Sequence, residues 1–144
     1  MKKVLIIIAL FVCSSAAFAQ NLKWSAQPRK VAKGVYEIVV AADIPAGYHL
    51  YDFGPYEDGP MPTSITVKPG EGVTLEGKMS VPASKTYFDE MYGMQIGVYE
   101  GHVEFVQKVS ARKKATATVV AGGMVCSGFN CQPPRKQSIT VVFK

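Results

Sequence analysis

Hydrophobic and polar residues alternate in short stretches along much of the chain, and this pattern predicts β-strands rather than helices. Thr63–Lys68 shows it clearly, because Ile65 and Val67 alternate with polar residues. Further predicted strands, rich in β-branched residues, are Gly34–Asp43, Val73–Gly77, Val103–Val109, Ala115–Ala121 and Ser138–Phe143. The sequence shows no long helical period. We therefore expect an all-β fold, an antiparallel β-sandwich.

Turn-forming residues separate the predicted strands. KPGEG at residues 68–72 predicts a turn, and ARKK at residues 111–114 predicts a hairpin connection between two strands. The chain carries 9 prolines and 13 glycines, which suit many short strands and disfavour long helices.

Two segments depart from the strand pattern and are predicted to be loops. Tyr48–Pro62 is aromatic, acidic and rich in turn residues, and Lys85–Gly97 carries Asp89 and Glu90 beside Met91. Both contain more aromatic residues than a solvent-exposed loop needs. These aromatics either fill the ends of the sandwich or surround a functional site.

Residues 1–19 have the composition of a secretory signal peptide. Two lysines precede a short apolar run at residues 4–12, and AFA at residues 17–19 fits the small-x-small rule, so cleavage after Ala19 is predicted. The apolar run is too short to span a membrane. Lipidation of a cysteine such as Cys13 prefers a small residue immediately before it. Val12 occupies that position and fits this preference poorly, so lipidation is disfavoured.

The predicted mature domain, residues 20–144, is a single exported domain that is mildly basic. Removing residues 1–19 lowers the formal net charge from +5 to +3, with 14 Lys and Arg against 11 Asp and Glu. The sequence has no long basic stripe interleaved with aromatic residues. We therefore predict no nucleic-acid partner and no stable membrane insertion.

This domain keeps two cysteines, Cys126 and Cys131, within MVCSGFNCQPP at residues 124–134. An exported compartment is oxidising, so the pair can form a disulfide. A loop of six residues stabilises a fold by only about 2 kcal/mol, against nearly 5 for a loop of a hundred residues. The spacing suits two thiols held close for exchange. Short structural disulfides also exist, and a binding or assembly domain with such a staple remains the alternative.

A metal site is a further interpretation of a close cysteine pair. Zinc would need two more ligands, and the mature domain offers only His49 and His102, both far from the cysteines in sequence. Copper(I) would need thioether ligands, but scattered methionines usually fill hydrophobic cores. We predict neither a metal nor another cofactor.

Five features occur in a characteristic order: Trp24, IPAGYHLY at 44–51, DGPMPTSI at 58–65, FDEMYG at 88–93 and CSGFNCQPP at 126–134. In this order and spacing the chain resembles the N-terminal periplasmic domain of the thiol–disulfide interchange protein DsbD. The resemblance implies an immunoglobulin-like sandwich in the periplasm. It also implies electron transfer, without a bound cofactor, from a membrane-embedded donor to periplasmic disulfide-bearing or thioredoxin-like proteins.

The resemblance also implies roles for individual residues. Cys131 would form the mixed disulfide with a partner, and Cys126 would resolve it. Tyr51 matches an aromatic residue beside the cysteines. A cap that covers the cysteines until a partner displaces it is matched by Asp89, Glu90, Met91 and Tyr92.

Physical chemistry supports a slow, guarded thiol pair, because carboxylates near a thiol disfavour the thiolate. Three features depart from the family pattern. Met91 stands where Phe is usual, His49 stands where an aromatic residue is common, and the sequence ends at Lys144 where the family protein continues into membrane and thioredoxin-like domains. We therefore expect a separate membrane partner to reduce the pair.

Overall fold

The computed structural model describes residues 21–144, which form three antiparallel sheets. The predicted signal peptide and Cys13 lie outside these residues. The strands of this part of the chain are β1 (Lys23–Ala32), β2 (Val35–Asp43), β3 (His49–Tyr51), β4 (Ser64–Pro69), β5 (Val73–Ser80), β6 (Lys85–Asp89), β7 (Met94–Tyr99), β8 (His102–Ala111), β9 (Thr116–Gly122), β10 (Val125–Ser127), β11 (Asn130–Gln132) and β12 (Gln137–Val142). Residues 21–144 contain no helix long and apolar enough to cross a bilayer.

The sheets are layered around one main core. The first sheet has the strand order β1-β2-β8-β5, the second β11-β10-β3-β7-β6 and the third β12-β9-β4. In β8 every second residue from Val103 to Ala111 is buried, as expected for a strand with one face on a core. The main core takes residues from all three sheets, including Phe105, Leu50 and Val119. The predicted antiparallel β-sandwich is confirmed.

The six predicted strands overlap β2, β4, β5, β8, β9 and β12, but the hairpin predicted at ARKK is wrong. Strand β8 pairs with β2 and β5 in the first sheet, whereas β9 pairs with β12 and β4 in the third. Residues 112–115 therefore carry the chain from one sheet to another. Two consecutive strands of a sandwich need not be hydrogen-bonded partners, and local sequence does not distinguish the two cases.

Strand β1 was not expected, and its sequence explains why. It is mostly exposed, contains Pro28 and pairs with β2 alone, so it is an edge strand. Proline is tolerated in edge strands because one side of the strand needs no ladder hydrogen bonds.

Lys85–Gly97 was predicted to be a loop, but it is mostly an antiparallel hairpin of β6 and β7. The turn between them, residues 90–93, carries the acidic and glycine residues that suggested a loop. Likewise, the predicted loop Tyr48–Pro62 begins with the short strand β3. Both segments thus contribute strands to the second sheet.

The second sheet has two different faces, because successive residues of a strand point to opposite sides. Leu50, Tyr99 and Val125 occupy one face and belong to the main core. On the opposite face lies a smaller cluster made of Tyr51, Ile96, Val98, Met124 and Cys126, with Tyr56, Tyr87, Tyr92, Met94 and Cys131 packed against it. This cysteine face positions the candidate site.

Candidate functional site

The two cysteines lie opposite each other in the hairpin formed by β10 and β11. Cys126 and Cys131 are register partners, their Cα atoms are 4.0 Å apart, and their sulfurs form a disulfide. Ser127 pairs with Asn130, which leaves a turn of two residues. Its first residue, Gly128, has φ +56°. A tight two-residue turn with glycine first is of the type that matches strand twist, so the local sequence itself brings the sulfurs together.

The two cysteines differ in exposure. Cys126 is completely buried, whereas Cys131 is half-buried at the outer strand of the sheet. Phe129 at the tip of the turn is 78% exposed. An incoming sulfur therefore has access to Cys131 in preference to Cys126, because thiol–disulfide exchange requires access to the attacked sulfur.

His49 lies beside this pair, although it is distant in sequence. It is the register partner of Cys126 across the β10–β3 ladder, so Cys131, Cys126 and His49 occupy one row on three neighbouring strands. Directly opposite residues in antiparallel strands point to the same face, with Cβ atoms about 4.5–5.5 Å apart. The ring of His49 meets those of Tyr51 and Tyr87 edge-on, with centroid separations of 4.9 and 5.2 Å.

Asp89 is the centre of a buried hydrogen-bond network. Its Oδ2 accepts hydrogen bonds from the hydroxyls of Tyr51 (2.8 Å) and Tyr87 (2.7 Å). Its Oδ1 accepts from the backbone N–H groups of Met91 (2.9 Å) and Tyr92 (3.3 Å). The Tyr87 hydroxyl also lies 2.9 Å from Nε2 of His49. These contacts connect the turn after β6 to the row of His49 and the cysteines.

The network sets the protonation of its members. Burial alone would raise the pKa of Asp89, but the hydrogen bonds from Tyr87, Tyr51 and the backbone outweigh it and hold this pKa below its usual range. Burial and then the bond to Asp89 raise the pKa values of Tyr51 and Tyr87. Burial lowers the pKa of His49, opposed by the charges of Asp89 and Glu100. At neutral pH the site therefore combines an ionised carboxylate, two neutral phenols and a neutral imidazole.

The predicted cap residues in the turn at residues 90–93 differ in their burial and packing. Gly93 has φ +65° and its N–H donates to the carbonyl of Asp89, which closes the turn. Tyr92 packs against the cysteine face and meets the ring of Tyr51. Met91 is half-buried, whereas Glu90 is exposed.

A groove of about 380 Å³ separates this turn from the tip of the cysteine hairpin. Residues of both turns and of β6 line it, and His49 contributes to it from β3. Phe88 and Phe129, at its two sides, are 53% and 78% exposed. The groove thus combines exposed aromatic side chains with polar groups beside the turn of the cysteine hairpin.

The loop that follows β3 covers the cysteine face from another side. Asp52 accepts hydrogen bonds from Ser84, Tyr56 and the N–H of Gly54. Tyr56 packs against the cysteine face and its hydroxyl accepts from the N–H of Gly97 at 2.8 Å. The aromatics of the two predicted loop segments are divided between the two clusters. Tyr48 and Phe53 pack against the main core, whereas Tyr56, Tyr87 and Tyr92 pack on the cysteine face.

The structure gathers most of the residues predicted for the site. Tyr51, Tyr92 and the two cysteines belong to the cysteine face, Asp89 and His49 join it through the network, and Met91 and Glu90 line the groove. Tyr87 was missed. The signal was its position two residues before Asp89, which places both side chains on one face once the segment is recognised as a strand.

Within residues 21–144, no three His, Cys, Asp or Glu side chains are grouped so as to hold a metal ion. His102 lies at the start of β8, where its ring nitrogens contact Asp43 (2.7 Å) and Glu104 (3.3 Å) on the exposed surface. The two histidines therefore belong to different sheets, and His102 lies outside the network around the cysteines.

Comparison with known protein families and structures shows what this chain is similar to. Residues 20–142 match the family model described as thiol:disulfide interchange protein DsbD, N-terminal. No curated protein matches the chain.

Two solved structures have a similar fold. The N-terminal periplasmic domain of ScsB from Proteus mirabilis has a TM-score of 0.56 and 16% sequence identity, and the match covers 83% of this chain and 44% of that chain. The DsbD n-terminal domain of Neisseria meningitidis in the reduced form has a TM-score of 0.53 and 17% identity, with 83% and 84% covered. The present chain thus spans less than half of the ScsB chain. These similarities confirm the immunoglobulin-like fold.

Proposed function

This chain belongs to the family of DsbD N-terminal domains, which are thiol–disulfide exchange domains, and we propose that it carries reducing equivalents to disulfide-bearing partner proteins through Cys126 and Cys131. Two electrons enter when a partner reduces the disulfide and leave when the dithiol reduces another. The observation that carries this proposal is the geometry of the pair. A short hairpin joins one buried and one more accessible sulfur, and a groove with two exposed phenylalanines lies at its tip.

The position of the disulfide makes a purely structural role inefficient. It joins two residues that the β10–β11 ladder already holds opposite each other. A six-residue loop contributes only about 2 kcal/mol through chain entropy. The main core, by contrast, takes apolar residues from every sheet. We therefore infer that the pair is maintained for its chemistry.

We assign different roles to the two sulfurs. Cys131, the more exposed, attacks the partner disulfide and forms the mixed disulfide. Cys126, completely buried, then attacks Cys131 and releases the reduced partner. The turn at residues 90–93 guards the pair, because Tyr92 packs on the cysteine face and the ionised Asp89 disfavours a second negative charge nearby.

We further propose that the domain works in the periplasm, after removal of residues 1–19. The family and the periplasmic domain of ScsB support that compartment. The partners we propose are a separate membrane-embedded donor and periplasmic disulfide or thioredoxin-like clients. The exposed Phe88 and Phe129, which line one groove at the tip of the cysteine hairpin, offer a client apolar contact area.

The deciding measurement is the reduction potential of the disulfide in residues 20–144, obtained by equilibration with glutathione and thiol trapping. We expect a value in the range of disulfide-exchange proteins, roughly −180 to −270 mV. The reduced domain should keep its fold, with a stability loss of about 2 kcal/mol or less. A potential below about −300 mV would mark a structural disulfide. The chain would then be a binding or assembly domain.

The order of the sulfurs is tested by trapping. Cys126→Ser should accumulate mixed disulfides through Cys131, because no resolving thiol remains. Cys131→Ser is the matched control and should form few such adducts, since its remaining thiol is buried. Equal trapping by both variants would contradict the assignment.

A further inference from the structure

We propose that His49 is the proton acceptor for the Cys126 thiol when that cysteine resolves the mixed disulfide. This inference rests on the proposed exchange function and adds to it a residue that acts on the reacting sulfur.

The need for an acceptor arises from burial. Cys126 has no solvent-exposed surface, and its ladder neighbours are Cys131 on one side and His49 on the other. A thiol in such a position does not lose its proton readily, because burial disfavours the thiolate. The thiolate is nevertheless the nucleophile in exchange. A base on the same face of the neighbouring strand supplies the missing step.

The hydrogen bonds around His49 determine which nitrogen can act as the base. The hydroxyls of Tyr51 and Tyr87 each have one proton, and both donate it to Oδ2 of Asp89. The Tyr87 oxygen must then accept the hydrogen bond from Nε2 of His49, so Nε2 carries the proton of the neutral ring. Nδ1 therefore keeps a free lone pair. Among residues 21–144, the hydrogen bonds of this ring involve Nε2 alone.

The same network accommodates the positive charge after proton transfer. A protonated His49 would be connected through the Tyr87 hydroxyl to the carboxylate of Asp89. Asp89 and Glu100 both favour the charged ring, whereas burial favours the neutral ring that must exist before the transfer. The titratable groups that surround His49 are Tyr51 on β3, Lys85, Tyr87 and Asp89 on β6, Glu90 in the turn that follows, Glu100 after β7, and Cys126 on β10.

The Cys126 thiol gives its proton to Nδ1 of His49, and its sulfur attacks the sulfur of Cys131. The Cys126–Cys131 bond forms while the bond between Cys131 and the partner sulfur breaks. The partner leaves as a thiolate with the electron pair of that bond, and the imidazolium returns its proton to the leaving sulfur or to solvent. The domain is oxidised by two electrons and the partner is reduced.

The reduced domain, mixed with excess dithiobis(nitrobenzoate) in a stopped-flow instrument, separates the two steps. Attack by Cys131 releases the first nitrothiobenzoate, and resolution by Cys126 releases the second. His49→Gln keeps a donor for the Tyr87 oxygen but removes the base. We expect it to slow the second phase about 10²-fold, the lower end of general-base contributions, while the first phase changes little.

Control variants make the result specific. His102→Gln replaces the other histidine of the chain, which lies on another sheet, and should leave both phases unchanged. His49→Tyr restores a ring and a hydroxyl without a base near neutral pH, and should show the same slow second phase as the glutamine variant. It also keeps the test valid if His49→Gln folds poorly.

The pH dependence separates a proton acceptor from a structural residue. In the unsubstituted protein the second phase should rise with pH and level off above the pKa of His49, which burial lowers from its usual value. In His49→Gln it should rise about tenfold per pH unit without that plateau, because it follows the thiolate alone. Equal slowing of both phases, or an unchanged second phase, would overturn the inference. Failure to observe either phase would instead contradict the proposed exchange function.

Discussion

Leu50 and Tyr51 are neighbours on β3, both are completely buried, and they belong to different regions of the molecule. Leu50 points into the main core between the sheets, whereas Tyr51 points into the cysteine face. The main core has apolar partners from all three sheets. The cysteine face instead combines apolar side chains with a disulfide and a hydrogen-bonded carboxylate. One sheet thus separates the part that stabilises the fold from the part that carries the chemistry.

The comparison also shows how a buried charge is tolerated. Asp89 is only 5% exposed, and an ionised carboxylate at such a position is costly unless it is paired or hydrogen-bonded. Four donors compensate for the lost water, two hydroxyls and two backbone N–H groups. The second sheet therefore places a polar, satisfied network next to sulfur without weakening the apolar core on its other face.

The largest expected effect comes from the core side of this comparison. Leu50→Ala should lower the free energy of unfolding by about 2–5 kcal/mol, because it leaves a cavity in a closely packed core. Denaturant unfolding of the oxidised domain measures it. The reduction potential of the folded protein should stay the same, since Leu50 faces away from the sulfurs.

The reduction potential is the more informative of these two measurements. A folded Leu50→Ala domain with a clearly altered potential would show that the two faces of the sheet are coupled. Val119→Ala, on β9 in the third sheet, is the control for a core change made on a strand of another sheet. It should lower stability and leave the potential unchanged.

A smaller effect on stability, with a larger effect on chemistry, is expected from Asp89→Asn. Asparagine presents an NH₂ group to hydroxyl or backbone donors, so the loss should be about 1–3 kcal/mol. Removing the negative charge should also let the reduced thiols ionise at lower pH. Thermal unfolding and the pH dependence of thiol alkylation measure the two effects.

The pH dependence of stability has a definite sign here. The lowered pKa of Asp89 means that its contribution is present above the unfolded value, 3.8, and is lost as pH falls through the folded one. Unsubstituted protein should therefore lose stability below about pH 4, and Asp89→Asn should lose less over the same interval. Glu90→Gln, the exposed neighbour, is the matched control. An identical acid response in Asp89→Asn would show that this carboxylate is not the group concerned.

Much of the fold could be predicted because most strands that form the main core alternate or are rich in β-branched residues. Strands β8 and β9 have one face on the core, so buried and more exposed residues alternate along them. Edge strand β1 lacked such a pattern because it is mostly exposed. The connection at residues 112–115 was misread because strand pairing depends on the whole sandwich rather than on the turn.

The site was predictable from resemblance more than from pattern. The turn that contains Met91 and Tyr92 has a loop-like sequence. Because of this turn the whole segment was predicted to be a loop, and the strands β6 and β7 on either side of it were not predicted. The row from Cys131 through Cys126 to His49 joins three strands, and its members are 82 residues apart at most. No local period encodes such a register. Only the assembled sheet shows that Tyr87 connects His49 to Asp89.

The smallest expected effect concerns Met91, which is half-buried and lines the groove beside the cysteine hairpin. Met91→Ala should open access to the sulfurs, and removing a barrier of about 1 kcal/mol would speed oxidation of the dithiol about fivefold. The measurement is the second-order rate of the reduced domain with oxidised glutathione. Stability should hardly change, because the side chain is partly exposed.

Phe88→Ala is the control, since Phe88 lines the same groove but lies before the turn on β6. It should leave the rate with a small disulfide nearly unchanged. If Met91→Ala also reacts at the original rate, Met91 is not a shield, and the packing of Tyr92 on the cysteine face becomes the remaining guard of the pair. The same rate measured for Tyr92→Ala would then decide whether the turn at residues 90–93 limits access at all.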